Sequence, residues 1–80
     1  MRTFAKIAEE AKKICGCAYI GSGTRYVLDM LSVVDGTNPN ETIDGVTVRE
    51  MVNCLLDLTE YRWSGEEAER IKGELRQMLN

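Results

Sequence analysis

Cys15-Gly16-Cys17 places two thiols one residue apart, and Cys54 supplies a third. Thiolates are soft ligands that suit a thiophilic metal. A structural zinc site needs four ligands, however, and the chain has no histidine to complete the set. Free cysteine is also among the most buried residue types. Cys15 and Cys54 fall on apolar arcs of their helices and are therefore read as core residues. Cys17, beside Gly16 at a helix end, is read as the more exposed thiol. No metal and no cofactor is expected.

Gly21-Ser22-Gly23-Thr24-Arg25 is the second chemically suggestive segment. A glycine-rich turn that opens a helix directs backbone N–H groups outward, and the helix dipole favours an anion there. Arg25 could add a bidentate contact. The segment is not a Walker A loop, because no Gly-Lys-Ser/Thr follows at the required spacing. The competing reading is an ordinary inter-helix turn. Gly21, Ser22, Gly23, Thr24 and Arg25 are kept as a candidate site for an anion or nucleotide, in a protein that would then act as a ligand binder or sponge.

Residues 35–45 hold Asp35, Asn38, Asn40, Glu41 and Asp44, all oxygen donors. No register places glycine and glutamate at the positions an EF-hand requires. Catalysis lacks its usual parts: histidine, the commonest acid–base residue, is absent, and no serine sits in a nucleophile-elbow pattern. The chain is expected to be non-enzymatic.

Tyr61-Arg62-Trp63 combines the three residue types enriched at binding hot spots. With Leu56 they form the candidate partner-binding surface. The competing reading folds Trp63 back as a core plug.

The elements that would position these groups are mostly helical. Thr3 can cap a first helix, in which Phe4, Ile7, Ala8, Ala11, Ile14, Cys15 and Ala18 recur at helical spacing. That helix should fail near Gly16. Residues 26–34 have only Asp29 and Ser32 as polar members and are expected to be helical and buried nearly all round, with Thr24 as the cap. Residues 35–45 form a long middle loop with two Asp-Gly turns, and Thr42-Ile43 and Val46-Thr47 suit a very small hairpin. Thr47-Val48-Arg49-Glu50 is a capping box, and the helix it opens runs to about Arg62. Val48, Met51, Val52, Cys54, Leu55, Leu56, Leu58, Tyr61 and Trp63 cover more than half of its circumference, where a peripheral helix needs a stripe of roughly 100°. Ser64-Gly65-Glu66-Glu67 reads as a second capping box, opening a last helix with a narrow stripe of Ala68, Ile71, Leu75, Met78 and Leu79.

The expected fold is thus all-α, one small four-helix domain over residues 1–80 with a long middle loop. The alternative is α+β, with residues 26–34 and 42–48 paired as strands. At 80 residues the chain buries about 60–65% of its unfolded surface. The formal charge is −3 and the charges are interspersed, with no basic stripe for nucleic acid. No apolar run approaches the roughly 18 residues that span a bilayer. The N-terminal residues do not read as a signal peptide, so a cytoplasmic location with reduced thiols is expected, and the Asn40-Glu41-Thr42 sequon is taken as chance. Together these features suit a protein that occupies another protein or complex. Small phage and mobile-element inhibitors of host defence, such as anti-CRISPR proteins, are alike in bulk, by type and not by sequence. The wide apolar arc of the third helix also suits a twofold homodimer.

Overall fold

The structure is a computed structural model that describes residues 2–14, 22–59 and 65–80. Among these residues four helices and one two-stranded sheet are formed: α1 Phe4–Ile14, α2 Ser22–Leu31, β1 Thr42–Ile43, β2 Val46–Thr47, α3 Val48–Thr59 and α4 Glu66–Met78. The helical expectation holds for residues 26–31, so they do not pair with 42–48 as strands. The hairpin is confined to an antiparallel pairing of Thr42 with Thr47 and Ile43 with Val46. Its turn takes Asp44 and Gly45 into positive φ, 52° and 82°, which matches the twist of the flanking strands.

α1 packs between α2 and α4, and α2 carries α3 on another side. One apolar cluster joins all four helices. Phe4, Ile7, Ala8 and Ala11 enter it from α1, Val27, Leu28 and Leu31 from α2, Val48, Met51, Val52 and Leu55 from α3, and Ala68, Ile71, Leu75 and Met78 from α4. Val34 adds to it from the chain that leaves α2. The α1 and α4 stripes follow the helical spacing expected of them.

The caps are partly as the sequence implies. The Lys6 amide donates to Thr3 Oγ1 at 3.2 Å, and the Glu50 amide to Thr47 Oγ1 at 3.1 Å. The cap of α4 differs. Its N-cap is Gly65, at φ 108°, with no side-chain cap bond. Glycine alone enters that backbone region without strain, so the cap position lies one residue later than a Ser64 box requires; Ser64 itself lies outside the described residues. Thr24 is likewise no cap: it sits inside α2, which already starts at Ser22, and is buried.

Residues 34–41 supply main-chain acceptors to two helix starts. The Phe4 and Ala5 amides donate to the Gly36 and Val34 carbonyls at 2.9 and 3.0 Å. The Val48 and Arg49 amides donate to the Glu41 and Pro39 carbonyls, both at 2.8 Å. The first N–H groups of a helix have no partner within it, and here the loop provides one for both α1 and α3.

Candidate functional site

α2 has two faces, contrary to the expectation of burial all round. Thr24, Val27, Leu28 and Leu31 turn inward, while Arg25, Tyr26 and Asp29 turn to solvent. The cause is its place at one side of the core, where a single stripe meets the neighbouring helices. Tyr26 is 65% exposed and Val33, in the turn after the helix, 71%. With half-buried Met30 between them, they form a row at spacings of four and three along the outer face.

The edge of this row is fixed from α1. Lys12 Nζ lies 2.8 Å from Asp29 Oδ1 and donates to Ser32 Oγ at 3.3 Å. The Ser32 hydroxyl donates in turn to the Asp29 carbonyl at 2.7 Å. The hydrogen bond from Lys12 holds the Asp29 carboxyl below the ordinary carboxylate range, with a smaller pull from the nearby charge of Arg25. Arg25 itself is exposed and makes no ion pair among the described residues.

The glycine-rich segment does not assemble around one point. Gly21 lies outside the described residues, Ser22 and Gly23 belong to the first turn of α2, Thr24 faces the core and Arg25 faces solvent. The partner-binding set is represented by Leu56 alone; Tyr61, Arg62 and Trp63 lie outside the described residues. Leu56 packs half-buried at the core edge and lines a polar cleft of about 250 Å³ with Asn53, Asp57, Lys72 and Arg76.

Cys54 is exposed, where the sequence suggests burial. The inward stripe of α3 is Val48, Met51, Val52 and Leu55. Cys54 follows Met51 by three residues, which carries it about 60° beyond that position and off the stripe. Cys15 and Cys17 lie outside the described residues. Among the described residues no group of three or more Cys, Asp or Glu side chains is placed to hold a metal ion, and no helix is long and apolar enough to cross a membrane.

The chain matches no protein-family model, no curated protein and no solved structure. Its own surface is therefore the whole basis for a functional reading. On that surface the residues that sequence reasoning missed are Tyr26 and Val33. The signal was available: Arg25, Asp29 and Ser32 recur at spacings of four and three, which marks a solvent face. Tyr26 and Val33 flank that polar row. Lys72 was missed too. It is 4% exposed and pairs with Glu69 at 3.1 Å. Its position falls within the arc of Ala68, Ile71 and Leu75, so its methylene stem is buried and its charge is carried to an exposed carboxylate.

Proposed function

We propose that this protein is a cytoplasmic, non-enzymatic binding module that acts by occupying a protein partner through the outer face of α2. The observation that carries the reading is the pair of exposed side chains Tyr26 and Val33 on either side of half-buried Met30. Large side chains left in water at helical spacing, beside charges, are the composition of an interaction surface. Occupancy of a partner, as an inhibitor of the anti-defence type would achieve it, needs such a surface and no water-excluded pocket.

The test is affinity capture from the native host with wild-type protein and a Tyr26→Ala/Val33→Ser variant. The expected result is a protein retained by the wild type and lost by the variant, with unchanged far-UV circular dichroism. Equal capture by both would refute the reading. Thermal stabilisation by a nucleoside triphosphate, lost on Arg25→Gln and unaffected by Tyr26→Ala, would favour an anion site at the start of α2 instead.

A further inference from the structure

We propose that the α2 face pairs with the same face of a second copy of this chain, in an antiparallel arrangement about a twofold axis. This rests on the reading of that face as a binding surface. The argument is one of charge. Arg25 and Asp29 are exposed, opposite in sign and one helical turn apart. A partner of uniform charge would pair with one and repel the other. A twofold axis crossing α2 at the level of Val27 sets each Arg25 against Asp29 of the partner subunit, giving two equivalent ion pairs.

Both groups are prepared for this. Lys12 already holds Asp29 Oδ1, which fixes the carboxylate while its side chain stays 59% exposed. Arg25 makes no ion pair among the described residues of its own chain. Tyr26 lies beside them, 65% exposed. In the antiparallel register the two tyrosines are offset by about 3 Å along the helix axes, close enough to pack. α2 has 10 residues, so the shared surface is short and the association belongs to the weak, transient class.

Sedimentation velocity of the whole chain, from about 10 µM to about 1 mM, is the first measurement. A reversible monomer–dimer equilibrium is expected. Arg25→Glu and Asp29→Arg should each be monomeric alone, because each opposes like charges across the axis. Mixed together they should form a heterodimer, in which one ion pair is the original Asp29–Arg25 and the other is restored with its sign reversed. Melting curves establish that each variant is folded. Tyr26→Ala, which touches neither charge, should weaken dimerisation by about tenfold or more. A wild type that is monomeric throughout overturns the proposal, as does a dimer indifferent to both Arg25→Glu and Tyr26→Ala. Folded single variants that fail to recombine overturn it too. A monomeric wild type that captures a foreign protein through Tyr26 overturns self-pairing alone and leaves the binding-face reading standing.

Discussion

Arg2 and Glu74 meet across 72 residues of sequence in a two-point contact, with Nε donating to Oε2 at 2.9 Å and Nη2 donating to Oε1. The same guanidinium reaches Glu10 on α1, and Glu10 accepts a further bond from Arg70 at 2.6 Å. Two arginines and two carboxylates thus bind the start of the chain and α1 to α4. The bond to Glu74, then that to Glu10, raises the Arg2 pKa above its ordinary value.

Acid should loosen this network. Arg70, then Arg2, holds the Glu10 carboxyl below its ordinary value, and Arg2 does the same for Glu74. Because these folded-state values are depressed, the unfolded chain binds more protons as pH falls through the range below about 4.5. The stabilisation is therefore complete at neutral pH and is lost as pH drops through the lowered values. Melting temperature should be nearly level from pH 7 to 5 and then decline. Glu74→Gln should flatten that decline. Arg2→Ala should cost about 1 kcal/mol at pH 7, a modest figure because the side chain is partly exposed. A slope unchanged in Glu74→Gln would show the contact to be energetically silent.

The helix caps predict an asymmetry. Thr47→Ala removes the acceptor of the Glu50 amide and should cost roughly 0.5–2 kcal/mol. Ser64→Ala should stay within about 0.5 kcal/mol, because the N-cap of α4 is Gly65 and carries no side-chain bond. Urea midpoints of the two variants check this directly. An equal loss in both would place the α4 cap at Ser64 after all.

The hairpin turn predicts a purely conformational penalty. A Cβ at Gly45 would meet nothing within 4 Å, yet the residue sits at φ 82°. Gly45→Ala should therefore destabilise by about 1 kcal/mol through backbone strain alone. Asp44→Asn should be close to neutral, since asparagine tolerates the left-handed region. Chemical denaturation of the two variants separates strain from any lost contact.

The thiols provide a chemical check on α3. In a Cys15→Ser/Cys17→Ser background, Cys54 should react completely with a thiol reagent without denaturant, because it is exposed. Leu55→Ala, one residue on but fully buried, should cost about 2–5 kcal/mol. Protection of Cys54 in a folded protein would mean that its face is covered, by a second copy or by another part of the chain.

Helices with one narrow stripe were legible in the sequence. In α1 and α4 the apolar residues recur on one face with polar residues between them, and, Lys72 apart, the buried residues are the ones the spacing marks. α2 and α3 were harder because apolar residues outnumber the places available in so small a core. Counting them suggests burial of Tyr26, Val33 and Cys54; only the arrangement of the neighbouring helices decides which are left out. Local signals fared according to their reach. Thr47 caps a residue three positions on and was readable. The bonds from the Phe4 and Arg49 amides to Gly36 and Pro39 carbonyls cross between segments, and carry no side-chain signature at all.

Those carbonyl bonds reverse the usual rule about where a chain can be cut or lengthened. Irregular surface segments ordinarily tolerate insertions, provided their backbone is not engaged. Here the longest irregular segment has its backbone engaged at both ends, holding α1 through Val34 and Gly36 and α3 through Pro39 and Glu41. A tag, a new terminus or a loop graft placed between residues 34 and 41 would release two helix starts at once. The turn at Asp44-Gly45, with open space around its glycine, is the better point of entry for engineering this chain.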